Sequence, residues 1–545
     1  MMHTDTPHPS LGMVALMAAL GLLFASSASA QSVPGSRLLV MPFSVQADPT
    51  APGGPGATLW LGEAAAMLLS EELQDLGVGA FSRDERVAAF ERLQVSTPTT
   101  LTRATTIRVG ELLDASEVVF GDVRLTDKVS VRVRMIQLDE GRQLPEVVDE
   151  APLADIFGLF ERVAQSVGRL TGRPLSPLRH AMDHTSLEAF ENYVKGLVAV
   201  TPGAQQRFLE LAFQQAPRDA RILLAMWNVY TEQGLHDKAL AAARNVPLSS
   251  PAARKARFSA SLSLIALTRF EEAFKELTSL MAERASPVVS NALGVIQLRR
   301  GGTTIAAAPA LFQRAVEAAP GNTDFLFNLG YAYALAHDAQ PALLWLREAV
   351  RFDATSGDAH LVMSAVLQSE GRTVEAQREL DLAKLLGAKR DVSTAVPIDK
   401  IPPRLERLPD DVDGSLAIDM VGTPAQREQQ QVATFHLDQG RRLFVEKKDR
   451  DAINELRRAI YLSPYQDEPH LLVGRLYQRA GRLAEAIDEF KVAIWCRETV
   501  EARVALGSAL LDSGDKPGAR READRALVLK PDDASARDLA RRAGG

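Results

Sequence analysis

The sequence predicts an α+β multidomain chain, in which a small α/β domain of sandwich type precedes an all-α solenoid built in two arrays. Three observations predict it. Alanines recur at Ala342 and Ala376, 34 apart, and at Ala452, Ala486 and Ala519, 34 and 33 apart, the period of a stacked helix-turn-helix unit. Two alternating β-branched runs, 117–125 and 129–138, lie among segments of helical periodicity nearer the amino terminus. The 545 residues, 46% hydrophobic and 24% charged, are globular in composition and too many for one globule.

The first thirty residues read as a processing signal. The apolar run Leu11 to Phe24 is too short to span a bilayer, which needs about twenty residues. Ala28-Ser29-Ala30 before Gln31 is the small-x-small pattern read by signal peptidase, so cleavage is expected after Ala30. The flanking MMHTDTPHPS departs from the pattern in lacking Lys and Arg, and the competing reading is a buried amino-terminal helix. No cysteine lies near the cleavage point, which excludes lipid attachment there, and no later apolar run is long enough to span a membrane. The expectation is a periplasmic or secreted chain with no integral membrane segment after cleavage.

Residues 31–180 are expected to form the α/β domain. Arg37 to Phe43 is a short apolar strand, ended by the Pro- and Gly-rich loop Pro49 to Gly56. Leu59 to Leu76 carries Leu61, Ala65, Leu68, Leu69, Leu73 and Leu76 at helical spacing; Arg83 to Leu93 and Ile107 to Leu113 are helical too. In Val129 to Leu138, Ser130, Arg132 and Arg134 alternate with Val131, Val133 and Met135, the mark of a sheet covered on one face. Asp139-Glu140-Gly141 makes a turn, and Leu153 to Leu170 closes the unit as an amphipathic helix.

Five stretches carry a resemblance: Val40 to Phe43, Ser70 to Leu73, Glu111 to Arg124, the hairpin VRVRMIQLDEG, and Asp155 to Val167. Over about 135 residues this segment resembles the TolB amino-terminal-like domain. The resemblance implies a recognition or assembly module with no catalytic residues; loop Ala47 to Gly56 departs from the family's shorter acidic loop.

From residue 186 the chain repeats. Leu329, Gly330, Tyr333, Ala342, Leu346 and Ala349 recur as Val473, Gly474, Tyr477, Ala486, Phe490 and Ala493, then as Leu506, Gly507, Leu510, Ala519, Ala523 and Ala526. Small residues let helices touch while large ones fill the groove between them. Pro217, Pro320, Pro464 and Pro531 stand where second helices must stop. This pattern resembles the tetratricopeptide repeat. It gives about nine repeats: six in a first array, 186–388, and three in a second, 429–545, with the first three degenerate and Trp227 in a small-residue position. Lys389 to Glu428, with Pro397, Pro402, Pro403 and Pro409 and no sustained period, reads as a linker or, alternatively, a decayed repeat.

Chemistry-bearing constellations are weak. A formal charge of −7 supplies no basic field for nucleic acid. The lone cysteine, Cys496, excludes an intramolecular disulfide and a Cys-rich zinc site, and reads as a small buried residue. His180 and His184 share a helical spacing but lack a third ligand; Gly53 to Gly56 lacks the lysine of a phosphate loop. No catalytic residue, metal site or cofactor is expected. Recognition then falls to the first-helix face of each repeat. Arg441 and Arg475 hold equivalent positions there, beside Arg442, Gln478 and Arg479, and suit a carboxylate; Phe327, Asn328 and Tyr331 would offer an aromatic contact in the earlier array, unless Phe327 is core. The chain thus reads as an exported, non-enzymatic adaptor for proteins or peptides in the bacterial envelope. The alternatives are a small-molecule sensor working through the α/β domain and a repeat-bearing envelope enzyme. Partner identity and oligomeric state are not encoded in these patterns.

Overall fold

The computed structural model describes residues 37–47, 58–93, 95, 102–177, 185–388, 397, 400–401, 404–409, 412, 424–463 and 466–544. The expected signal peptide, the Pro- and Gly-rich loop 49–56 and the histidines at 180 and 184 lie outside these residues.

The amino-terminal domain is a mixed sheet between helices. Strands β1 (Leu38–Val40) and β2 (Ser44–Ala47) lie end to end along one edge of β3 (Glu117–Leu125), both parallel to it. On the other edge, β4 (Val129–Gln137) runs antiparallel to β3 and carries β5 (Arg142–Gln143) and β6 (Val147–Ala151). Alternation in β1 decides the layers: Leu38 and Val40 join the core beneath α1 (Trp60–Asp75) and α4 (Ile156–Leu170). Leu39 and Met41 join a separate core beneath α2 (Arg83–Arg92) and α3 (Arg103–Leu112). Strands β5 and β6 escape the sequence reading because Arg142, Glu146, Asp149 and Glu150 give this edge a polar, turn-like composition.

The remainder is an all-α solenoid. The first array pairs α5 (Leu187–Val198) with α6 (Pro202–Gln215), α7 (Ala220–Glu232) with α8 (His236–Arg244), and α9 (Ala253–Ala266) with α10 (Phe270–Glu283). It continues with α11 (Pro287–Arg300) and α12 (Ala308–Ala318), α13 (Thr323–Leu335) and α14 (Ala339–Phe352), and α15 (Gly357–Ser369) and α16 (Thr373–Leu385). The second array pairs α17 (Pro424–Val445) with α18 (Asp449–Leu462), α19 (Asp467–Arg479) with α20 (Leu483–Cys496), and α21 (Val500–Asp512) with α22 (Lys516–Leu529). A last helix, α23 (Ala534–Gly544), buries Ala536, Leu539 and Ala540 against the end of that stack. The sequence reading stops at the preceding repeat and misses this cap.

Most pairs close on a glycine of the first helix. A Cβ at Gly330 would stand 2.7 Å from Leu346, and one at Gly474 2.5 Å from Phe490, so the first helix meets the second at van der Waals contact only because glycine is there. At Trp227 the sizes are exchanged: the residue sixteen later, the offset of Gly330–Leu346, is Ala243, and both are buried. Polar stitches add to the closure. An arginine or histidine on the first helix meets a glutamate nineteen residues later in Arg257–Glu276, His360–Glu379, His436–Glu455, His470–Glu489 and Arg503–Glu522.

The α/β domain and the first array share one continuous hydrophobic core. Phe190 on α5 lies edge-on to Trp60 and Phe157, with ring centroids 6.4 and 5.4 Å away, and Arg221 on α7 pairs with Glu71 of α1 at 3.2 Å. The domain therefore covers the apolar end of the solenoid, as a capping element must. The second array has a core of its own.

In eight of the nine helix pairs, α5–α6 being the exception, the chain turns through a left-handed residue: Gly234, Thr268, Gly301, His337, Gly371, Lys447, Gly481 and Gly514 all have φ between 59° and 93°. The next amide bonds back to the helix, as Arg269 N–H does to Leu264 O at 2.8 Å. Glycine takes this conformation freely, whereas a β-branched residue is strained there by about 1–2 kcal/mol. Thr268→Gly is expected to stabilise the unit containing the first array by about 1 kcal/mol, raising its denaturant midpoint, and Gly371→Ala to lower it comparably. A lower midpoint for Thr268→Gly would contradict this origin of strain.

Candidate functional site

Part of the first-helix face of the first array, at α11 and α13, is occupied by the chain itself. Residues 404–408, read from sequence as part of a linker, lie across α11 and α13. Asn328 on α13 brackets Arg407: its Oδ1 accepts from the Arg407 backbone N–H at 2.8 Å, and its Nδ2 donates to the Arg407 carbonyl at 2.7 Å. Asn291 on α11 donates to the same carbonyl at 3.0 Å. The two amides thus hold an extended segment through its main chain. Side chains fix the register. Arg407 Nη1 pairs with Asp324 at 3.0 Å, Nη2 donates to Ser356 Oγ at 2.8 Å, and the guanidinium sits 4.6 Å from the centre of the Phe327 ring. Glu406, buried, pairs with Arg299, and Leu405 and Ile401 complete the apolar contact.

Phe327, Asn328 and Tyr331 accordingly stand where the sequence places them, on the first-helix face, but all three are buried. Phe327 and Tyr331 stack at 5.9 Å with planes 11° apart. The expected open aromatic surface is therefore covered. Asn291, Arg299, Asp324 and the segment itself escape the sequence reading. Contacts between residues 51 to 116 apart in the chain leave no periodic trace.

In the second array the four candidate residues are exposed or half-buried, and each already has a partner. Arg441 reaches Glu468 of the next repeat at 2.6 Å and Asp438 at 2.8 Å, while Arg475 reaches Glu501 of the next repeat at 2.6 Å. These are equivalent bridges, one repeat apart. Gln478 donates to Asp512 at 2.7 Å, and Arg479 pairs with Asp449 at 2.8 Å over the Phe444 ring. The carboxylates the arginines suit are, in this structure, the chain's own.

Among the described residues, no three of His, Cys, Asp or Glu are grouped to hold a metal ion, and no helix is long and apolar enough to cross a membrane. Cys496 is buried, and burial raises its thiol well above the usual range, the reverse of what a nucleophile needs.

No protein-family model matches the chain, and no curated protein matches it. Among solved structures it is similar to YrrB, described as a TPR protein with an unusual peptide-binding site, at 18% identity over 33% of this chain and 91% of that one, TM-score 0.27. It is also similar to the Cut9–Hcn1 hetero-tetramer of the APC/C, at 13% identity over 66% of this chain and 63% of that one, TM-score 0.27. A third likeness is to a tetratricopeptide repeat protein from Parabacteroides merdae, at 14% identity over 54% and 99%, TM-score 0.23. The solenoid of this chain is a stacked helix-pair repeat, built on the glycine contacts and left-handed turns described above.

One buried acid sits at the joint between α1 and α4. Glu72 is 2% exposed, and burial, reinforced by Glu161, Asp75 and Glu71, raises its carboxyl from 4.5 to about 7. The folded state thus holds a proton that the unfolded chain releases between these two values. Stability contributed by the neutral form is complete below the unfolded value and is lost as pH rises towards 7, a loss of about 1–3 kcal/mol. Glu72→Gln is expected to flatten this slope, matching wild type near pH 5 and melting higher at pH 8. A variant that melts lower at pH 8 would show that the ionised carboxylate is the stabilising form.

Proposed function

We propose that this chain is an exported, non-enzymatic adaptor that binds proteins or peptides in the bacterial envelope. The observation that carries the reading is the clamp of Asn291 and Asn328 on the main chain of Arg407, since a face that holds one extended polypeptide through its backbone is suited to holding others. The α/β domain enters this reading as a TolB-like recognition or assembly module that also caps the solenoid. Export rests on Ala28-Ser29-Ala30, and amino-terminal sequencing of the native protein should then begin at Gln31. A native protein that starts at Met1 would remove the envelope from the proposal.

In the second array Arg441, Arg475, Arg479 and Gln478 are the proposed ligand contacts. The side chains of Arg441 and Arg475 are 46% and 37% exposed, and exposed ion pairs contribute about 0.2–1 kcal/mol. Exchanging Glu468 or Glu501 for a ligand carboxylate therefore costs little. With the full mature chain immobilised and envelope extract passed over it, Arg441→Ala combined with Arg475→Ala should weaken retention of captured partners at least tenfold. Melting should fall by no more than about 1–2 kcal/mol, the sum of two exposed pairs. Unchanged retention would reduce both arginines to staples between repeats.

A further inference from the structure

We propose that residues 404–408 are an in-chain ligand, and that the first-array face they fill is a binding site for a peptide carrying the same apolar-Glu-Arg pattern. This deepens the adaptor reading and rests on it. Three features distinguish a docked ligand from a structural strand of the solenoid. The segment belongs to no helix pair, and it crosses the helices that present Asn291 and Asn328 rather than continuing the stack. Its polar anchoring is divided as a peptide ligand's would be: backbone held by amides, which tolerate many sequences, and two side chains of opposite sign read by complementary charges, Glu406 by Arg299 and Arg407 by Asp324. Its entry is strained, since Arg404 has a left-handed φ of 65°.

The chemistry of the site defines the partner. An apolar residue must fill the place of Leu405, which is 6% exposed. A glutamate must follow, because Arg299 would otherwise lose the partner of a nearly buried ion pair. An arginine comes next, flat on Phe327 with its fork shared between Asp324 and Ser356; lysine lacks that planar fork. Tethering gives the in-chain segment an effective concentration on the order of 1 mM, so an outside peptide competes at a disadvantage until its own affinity or abundance overcomes it.

The test uses the full chain and a fluorophore-labelled synthetic peptide of residues 401–412. To release the segment, Leu405→Glu and Glu406→Arg place a charge in the apolar seat and set two cations against each other. The released chain should bind the peptide at least tenfold more tightly than wild type. That gain should disappear when Asn328→Ala is added, and a peptide with arginine in place of its glutamate should bind at least tenfold more weakly. In wild type, hydrogen exchange at the Arg407 amide should proceed through local opening, faster than exchange in the core of α13.

If the Arg407 amide exchanges only with unfolding of α13, the segment is part of the solenoid and the proposal is wrong; this reading holds even if the released variant fails to fold. A folded released chain that binds no peptide would also overturn it. A wild-type dimer dissolved by the peptide would place the segment in a second copy and overturn the in-chain assignment. None of these results depends on capturing an envelope partner, so failure of the adaptor reading in that assay is separately visible.

Discussion

In most repeats the two helices lie close because a small residue, usually glycine, stands at their contact, and the rest of the solenoid depends on this steric constraint. Ala342, Ala376, Ala452, Ala486 and Ala519 are fully buried where second helices press on first ones, and Gly294, Gly330, Gly440 and Gly474 lie under Phe312, Leu346, Leu456 and Phe490. Added methyl groups here would overpack the contact at about 1–3 kcal/mol each. Because the close approach fixes the pitch of each pair, it also fixes which residues of the first helix face outward. Position 331 in the first array and positions 441 and 475 in the second each follow such a glycine directly, so the same geometric slot carries Tyr331, Arg441 and Arg475. Surface chemistry varies on a skeleton that does not.

The two arrays differ in how they finish that skeleton. In the first, the α/β domain supplies one end of the core through Trp60 and Phe157, and the returning segment supplies Ile401, Leu405 and Val412 to the same cluster. In the second, α23 covers the far end, while contact with the first array includes the hydrogen bond from Gln313 to the Cys496 carbonyl at 2.9 Å. Apolar burial binds the first array to its amino-terminal domain; no cluster of buried apolar residues among the described residues spans both arrays. Coupling in such stacks runs through neighbouring interfaces.

How legible this was in the sequence follows from the range of each interaction. Period and alternation expose whatever is set by residues within one helix pair or one hairpin, which is why the repeat and the β3–β4 hairpin could be read directly. The nineteen-residue spacing from His436 to Glu455 and from His470 to Glu489 is equally local, and was visible in principle as a second recurrent offset. What no pattern carries is a docking between distant, non-repeating partners. Residues 404–408 look like a linker because of their mixed polarity and the prolines at 402, 403 and 409 beside them, and nothing in Leu405-Glu406-Arg407 announces Arg299, Asn328 and Asp324. The arginines at 441 and 475 lie on first helices, and their neighbours Glu468 and Glu501 come from the next repeat, so the face reads as cationic in one helix and neutral in the stack.

That difference in neutralisation would separate the two faces in the proposed binding role. In the second array the ion pairs are exposed and exchangeable, so water or a ligand carboxylate can replace Glu468 at small cost. In the first array Arg299 and Glu406 have side chains only 18% and 2% exposed, and separating them leaves a poorly hydrated charge on the face unless a new partner arrives with the right sign in the right place. A face of the first kind admits many anionic segments weakly. A face of the second kind is selective by default, because a peptide lacking the glutamate leaves Arg299 unpaired as well as forfeiting the contact. On the proposed adaptor reading, the same protein would combine a permissive groove with a guarded one, although both are built from the same helical repeat.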